Sequence, residues 1–337
     1  MKILIIQTAF IGDVILATSV AEKLHQQFPD AQVDFVVRKG NEALLSNHPF
    51  IKTVFVWDKK KGKIKNLLAI TKQVRANKYD SVIDLHRFAS SGFIAGFSGA
   101  KEKVGFDKNP LSFLFSKKIK HEIGTMPNRQ AGSIHEVERN QLLIEHLTDN
   151  KVAKPKLYPS TENFESVKKY KSASYICLAP ASVWFTKQYP KEKWIELCDQ
   201  LPDNLTIYLL GAPSDFIACE DIKSKVKSQK SKDIVNLSGK LSFLESAALM
   251  KDATMNYVND SAPMHMASAM NAKTTAIYCS TVPAFGFGPL SDDSKIVETK
   301  LTLDCRPCGL HGHKACPEGH FKCAFSIETS ELLHDLS

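Results

Sequence analysis

The stretch that decides the fold is the first, 1-MKILIIQTAFIGDVILATSVAEKL-24. Its apolar run Ile3–Ile6 is too short for a helix and suits a buried strand, whereas from Val14 onward apolar residues return with helical spacing. Gly12 and Asp13 fall where one pattern gives way to the other, so the segment is a strand, a tight turn and a helix, which is how a parallel α/β sheet begins. Asp13 has two readings. As a helix N-cap it would accept first-turn amides, although Ser or Thr would serve as well. As a general base it would use an apolar surround of Ala9, Phe10 and Ile11, which tends to raise a carboxyl pKa. The G-x-G-x-x-G spacing that brings a pyrophosphate close to a first helix is missing here, so the first sheet is not expected to bind the nucleotide.

The rhythm continues outward from that start. In the first half Val33–Val37, Val54–Trp57 and Ser81–Leu85 read as further strands, with helices over Val14–Phe28 and Ile64–Asn77. In the second half Tyr175–Ala179, Thr206–Leu210, Ile234–Leu237, Met255–Val258 and Thr274–Tyr278 alternate with helices near Lys191–Gln200, Asp215–Lys227 and Phe243–Lys251. The expected class is α/β, with two doubly wound, Rossmann-like parallel-sheet domains, 1–165 and 166–337, facing each other across a cleft. The polar, proline-containing stretch 148–174 between them reads as a linker. At 337 residues and 43% hydrophobic content, the chain exceeds what one core usually holds. No apolar run approaches the roughly 20 residues of a membrane span, and the start lacks the marks of a signal peptide. A cytoplasmic location follows as the expectation, and Cys177, Cys198, Cys219 and Cys279, scattered through apolar segments, fit it as small reduced hydrophobes.

Charge is distributed unevenly. Residues 1–165 hold 25 Lys and Arg against 17 Asp and Glu, which accounts for the entire net charge of +8. Such a field implies an acidic partner: a phosphorylated substrate, an anionic membrane surface or nucleic acid. A merely solvated lysine-rich surface is the plain alternative, and Lys59, in the run 58-DKKKGK-63, is expected to be of that kind. No interleaving of aromatic and basic residues favours nucleic acid.

The second half carries the nucleotide signals. In 258-VNDSAPMHMASAM-270, Asp260 and Ser261 can cap a helix whose early position is Pro263, leaving the amides of Ala262, Met264 and His265 to meet a diphosphate. In 178-LAPASVWFTKQYPKEKW-194, Lys187 can neutralise a phosphate, and Ser182 and Thr186 can donate hydrogen bonds to it. In 209-LLGAPSDF-216, Asp215 lies past a strand end where a carboxylate can accept both ribose hydroxyls. Each segment alone could be an ordinary cap, a buried histidine or a solvated lysine.

Together these segments resemble the ADP-heptose:lipopolysaccharide heptosyltransferases, glycosyltransferase family nine, of the GT-B fold. The likeness extends over FIGDVILATSVAEKL, HEVERNQLLIEHL, APASVWFTKQYPKEKW, LLGAPSDF, NLSGKLSFLESAALMKDA and NDSAPMHMASAM, in that order. It implies an inverting, metal-independent transfer of a heptose or similar sugar from an ADP-sugar, with no other cofactor. Asp13, after Gly12, is then the base, and Lys187 meets the donor's phosphate or sugar. Asp215 holds the ribose, and Asp260, Ser261, Ala262, Pro263, Met264 and His265 cradle the diphosphate. The implied acceptor is an acidic, phosphorylated, lipid-linked oligosaccharide at the cytoplasmic face of the inner membrane, for which Arg87, Lys101, Lys103, Lys108 and Arg129 are candidate contacts. A sugar-nucleotide epimerase, a non-catalytic nucleotide binder and a nucleic-acid-binding protein remain the rivals.

One motif is left over, 303-LDCRPCGLHGHKACPEGHFKC-323. Cys305, Cys308, Cys316 and Cys323 could hold a structural zinc ion, remain reduced in a packed loop, or form a disulfide. Their spacing is not that of a standard zinc finger.

Overall fold

Each half of the chain builds one six-stranded, wholly parallel sheet in the computed structural model, which describes residues 1–123, 134–227 and 232–333. In the first, β1 (Lys2–Ile6), β2 (Gln32–Arg38), β3 (Ile51–Trp57), β4 (Ser81–Asp84), β5 (Glu102–Phe106) and β6 (Lys117–Ile119) lie in the order β3-β2-β1-β4-β5-β6. Ile3, Leu4, Ile5 and Ile6 are fully buried, because a central parallel strand is covered on both faces. Helices α1 (Ile11–Gln27), α2 (Lys63–Ala76) and α3 (Ala89–Gly96) make the crossovers, and α4 (Glu136–Leu142) packs on α1.

The second sheet contains β7 (Tyr175–Ala179), β8 (Thr206–Leu209), β9 (Ile234–Asn236), β10 (Met255–Asn259), β11 (Thr274–Tyr278) and β12 (Ser294–Glu298), ordered β12-β11-β10-β7-β8-β9. Helices α5 (Thr161–Lys168), α6 (Lys191–Gln200), α7 (Phe216–Lys225), α8 (Phe243–Lys251) and α9 (Ala262–Ala269) accompany it. Counted from its own first strand, this winding is the same as that of the first sheet. In both, the strand order reverses between the first and fourth strands, at β1/β4 and β7/β10. Such a reversal opens a crevice at the carboxyl ends of the strands.

Three strands escaped the sequence: β5, β6 and β12. All are short, and charged residues interrupt their apolar runs, as in EKVGF, KKI and SKIVE. The expected linker also divides differently. The chain separates into Met1–Tyr158 and Pro159–Ser337, so a boundary at 165/166 would cut through α5. Residues before the division are fastened to α1: Lys156 donates its N–H to the Thr18 hydroxyl (3.0 Å), Tyr158 donates to Glu22 (2.7 Å), and Lys23 pairs with Asp149. Beyond it, Ser160 caps α5, which packs on α8. These segments are parts of the two units and leave little free connector.

Candidate active site

In the first unit the crevice lies between the loop after β1 and the end of β4. Asp13 is not the N-cap of α1. It occupies the third helical position and reaches back, its Oδ2 accepting the Phe10 N–H at 3.1 Å, while Gly12 is an ordinary helical residue and not a turn. The carboxylate is therefore held at the mouth of the crevice by the first turn of its own helix. Its surround is charged as well as apolar. Phe10 is 58% exposed, and the Arg38 guanidinium lies over its ring at 4.7 Å, within the field of Asp13. Burial draws the Arg38 pKa below its usual value, with Asp13 opposing that shift.

A second carboxylate acts on the same place. Glu136, buried at the start of α4, pairs with the guanidinium of buried Arg139 at 2.8 Å. Burial pushes the Glu136 pKa up, Arg139 opposes this, and Asp13 adds to it. The stretch HEVER thus delivers an ion pair into the electrostatic neighbourhood of Asp13, a role its sequence did not disclose.

Across the crevice of this unit, Thr8 and His86 lie two residues past the β1/β4 partners Ile6 and Asp84, and Thr8 Oγ1 and His86 Nδ1 are 2.9 Å apart. Burial, followed by the nearby cations Lys59, Arg87 and Arg38, pushes the imidazole down to about 3, so it is neutral near pH 7. Its backbone is braced: Asp84 accepts the His86 N–H at 3.0 Å and an Asn109 amide N–H at 3.0 Å, while Asn109 also donates to the His86 carbonyl at 3.1 Å. Gly92 is required here, since a Cβ at that position would stand 2.2 Å from Asn109 Oδ1.

Lys59 corrects the expectation of a solvated charge. Its Nζ donates to the Thr8 carbonyl at 2.7 Å and sits 4.8 Å over the Trp57 ring, and burial followed by Arg38 and Lys63 lowers its pKa to about 8. Trp57 anchors the site because it is 1% exposed. Arg38, Lys39, Trp57, Asp58 and Lys59–Lys61 line a pocket of about 610 Å³ at the carboxyl ends of β2 and β3, on the rim that carries Asp13. Arg87 shares this end of the sheet, just past β4. Lys101 and Lys103 do not: Lys101 pairs with Asp80 at 2.7 Å and Lys103 lies near the start of β5, both at the amino edge. Lys108 is exposed past the end of β5, and Arg129 lies outside the described residues.

In the second unit the corresponding crevice is closed by an ion pair. Lys187 Nζ lies 2.7 Å from Asp260 Oδ2, the two side chains being 15% and 8% exposed, and the Thr281 hydroxyl donates to the same oxygen at 2.6 Å. Asn259 fixes the geometry from inside the core. It accepts the Tyr189 N–H at 2.9 Å and donates to the carbonyls of Ala179 and Pro180 at 3.3 and 2.8 Å, tying the Lys187 loop to the end of β10.

The other donor-site expectations fare unevenly. Ser261 occupies the N-cap position of α9, but its hydroxyl donates to the Asn259 carbonyl (3.3 Å) instead of capping. Ala262 and Pro263 open the helix, and the Met264 amide donates to the Ser261 carbonyl at 3.0 Å, so it is not the free donor expected. His265 is buried, 6.4 Å from the Phe287 ring. Thr186 is not placed as a phosphate donor either: it is 1% exposed and its hydroxyl oxygen accepts from Ser280 and from the His313 N–H. Ser182 is half-buried in the Lys187 loop, where its carbonyl accepts from Gln188 at 2.6 Å. Asp215 stands beyond β8 with its Oδ2 on the Ala212 N–H at 2.8 Å, pressed so near Gly211 that a Cβ there would lie 2.9 Å from its own.

Thr186 instead anchors the cysteine-rich segment. Buried Arg306 does so too, donating to the carbonyls of Cys279 (2.8 Å) and Thr281 (2.7 Å) and pairing with Glu298. All four cysteines of the segment are free thiols, and Cys308 donates to the Cys305 carbonyl at 3.3 Å. Among the described residues no group of three or more His, Cys, Asp or Glu side chains is arranged to hold a metal ion. The segment is a loop held by Arg306 and Thr186, and its four cysteines line one pocket of about 250 Å³ together with His313 and His320.

Comparison with known proteins agrees with this fold. Residues 67–319 match the model of glycosyltransferase family 9 (heptosyltransferase). Lipopolysaccharide heptosyltransferase 3 of Escherichia coli K12 is 27% identical over 290 residues, covering 81% of each chain. The structure of E. coli ADP-heptose LPS heptosyltransferase II superposes with a TM-score of 0.80 at 21% identity, covering 100% of this chain and 97% of that one. E. coli heptosyltransferase WaaC with ADP gives a TM-score of 0.71 at 17% identity, over 100% and 99% of the two chains.

Proposed function

The chain belongs to glycosyltransferase family 9, the heptosyltransferases, and from that premise we propose an inverting transfer of heptose from ADP-heptose to a phosphorylated, lipid-linked sugar of the lipopolysaccharide inner core. The first unit takes the acceptor and the second the donor. The observation that supports this division most directly is the Lys187–Asp260 pair at the crevice of the second sheet, because a lysine held beside a carboxylate is a cation in reserve for an incoming diphosphate.

In the reaction Asp13 removes the proton of the acceptor hydroxyl. The oxygen attacks the anomeric carbon on the face opposite the diphosphate, a new C–O bond forms, the bond to the phosphate oxygen breaks, and configuration inverts. The electron pair leaves with ADP. Lys187 exchanges Asp260 for the β-phosphate and balances the charge that develops there, which is work a divalent ion does in other transferases. Asp215 accepts the ribose hydroxyls with the carboxylate oxygen not turned to Ala212. On the acceptor side, the Arg38–Lys61 pocket and Arg87 replace Lys101 and Lys103 as the anion-binding group. The epimerase reading is disfavoured by the family match, and the enzyme works peripherally at a membrane. Among the described residues no helix is long and apolar enough to cross one.

The test is direct. With ADP-heptose, a deacylated inner-core acceptor and excess EDTA, mass spectrometry should show the acceptor gaining one heptosyl residue as ADP appears. ADP should also raise the melting temperature more than UDP, GDP or CMP, since a ligand at 100 times its Kd adds about 2.7 kcal/mol. Consumption of donor without acceptor, or transfer only after a divalent ion is restored, would overturn the mechanism.

A further inference from the structure

We propose that the face of the first unit formed by α2, α3 and the turn Ser112–Leu114 docks on an anionic phospholipid surface. It rests on the heptosyltransferase reading only for what the enzyme meets in that surface, and not for the contact itself.

Three features carry it. First, α2 turns Ile70, Thr71 and Val74 inward, while Ile64, Lys65, Leu68 and Lys72 recur at helical spacing along its outer side, all exposed. Ile64 and Leu68 are 72% and 54% exposed, which no packing within the unit explains. Helix α3 and the following turn extend this face, since α2 touches α3 and α3 touches Ser112–Leu114; they add Phe88, Phe97 and Phe113, at 64%, 45% and 71% exposure. Second, charge on this face has one sign. Helix α2 holds Lys63, Lys65, Lys72 and Arg75, and α2, α3 and Ser112–Leu114 together hold no Asp or Glu. Third, the helix accepts a local cost for this pattern. Its first turn contains Lys63 and Lys65 and no acid, against the preference of a helix N-terminus, and its N-cap is Gly62 in the left-handed region (φ 61°) without a side-chain cap. Large apolar side chains set among lysines fit the interface of an anionic bilayer, where the former enter the acyl boundary and the latter meet the headgroups.

The placement is coherent with the rest of the unit. The N-termini of α2 and α3 follow β3 and β4, so Ile64 and Phe88 lie toward the carboxyl edge of the sheet, the same edge as Asp13 and the Lys59 pocket. A lipid-anchored acceptor would reach the base without being lifted far from its bilayer.

Sedimentation of the full chain with large vesicles tests this. Binding is expected to vesicles of equal phosphatidylcholine and phosphatidylglycerol, to weaken with salt, and to be absent with phosphatidylcholine alone. Ile64→Ser with Leu68→Ser should lower vesicle affinity by about tenfold or more, and Lys65→Gln with Lys72→Gln by about twentyfold. Both variants should keep the wild-type melting temperature and transfer to a soluble, deacylated acceptor. Equal binding to neutral vesicles, no binding to anionic ones, or either variant binding like wild type would overturn the proposal. Salt-sensitive binding to single-stranded RNA without vesicle binding would assign the face to nucleic acid instead. Failure of sugar transfer with vesicle binding intact would count against the heptosyltransferase reading alone.

Discussion

The two crevices of this molecule occupy the same place in the same winding and are bridged by different chemistry. Between β1 and β4 the bridge is neutral, a threonine hydroxyl against an imidazole that burial keeps uncharged; between β7 and β10 it is ionic, Lys187 against Asp260. A topological reversal supplies an opening and says nothing about its contents. The difference fits the two halves of the reaction we propose. There an acceptor hydroxyl needs a base beside it, the role proposed for Asp13 on the rim, whereas a departing diphosphate needs a cation, the role proposed for Lys187 within the bridge. The sharpest way to break the comparison is to disable each half and ask whether the losses differ in kind.

The largest effect is expected at Asp13. Asp13→Asn keeps the shape, and its side-chain carbonyl can still accept the Phe10 N–H, so a role limited to ending the helix predicts near silence. Loss of a general base predicts a fall in turnover of at least about two decades, with donor affinity and melting temperature nearly unchanged. A variant keeping more than roughly a tenth of wild-type turnover would return Asp13 to a structural role.

Next comes Lys187→Ala, which should cost about two decades in turnover and weaken ADP binding, because it removes the counter-charge and leaves the Asp260 carboxylate facing the phosphates. Adding Asp260→Asn separates the two causes. The double variant should recover ADP affinity in part and turnover hardly at all; full recovery would mean that Lys187 only neutralises Asp260.

The places of Asp13 and Lys187 in the fold were legible in the sequence because each follows a strong strand signal, β1 or β7, beyond its carboxyl end. What was not legible depends on distant contacts or on strands that were missed. Lys101 and Lys103 share the basic character of the first half, but the charges of EKVGF hide a strand, and with β5 in place both fall at its amino end, opposite Asp13. Lys59 looked like one of three solvated lysines, and only the folded β3 shows Trp57 beneath it and the Thr8 carbonyl in front of it. Thr281 and Asn259 resemble polar interruptions of apolar strands, and their duties toward Asp260 and Tyr189 cross 21 and 70 residues of chain.

Lys59 sharpens the comparison on the first side. Lys59→Ala should lower kcat/KM for the acceptor by about tenfold, since a charge-assisted contact is worth about 1.5 to 3 kcal/mol, and leave ADP affinity alone. Its pKa near 8 makes the effect depend on pH. Below 8 the ammonium is charged and holds an acceptor phosphate; as pH rises through 8 the charge is lost, so acceptor KM should climb by about threefold toward pH 9 while donor KM stays flat. Lys59→Arg, which remains charged, should abolish the climb. An equal rise in both KM values would place the titration elsewhere.

The smallest effect is expected at the neutral bridge itself. Thr8 is fully buried, and valine has nearly its shape, so Thr8→Val removes one hydrogen bond and little else. A neutral pair contributes about 1 kcal/mol, or roughly 2 to 3 °C of melting temperature in a chain of this size. If His86 is only held in place by that bond, turnover should change less than about threefold, because Asp84 and Asn109 still brace its backbone. That outcome would keep the two bridges distinct, one structural and one engaged in the chemistry. A loss approaching that of Lys187→Ala, measured with Asp13 intact and the fold unchanged, would show that the imidazole takes part in orienting the acceptor, and the contrast between the two crevices would then lie in charge alone.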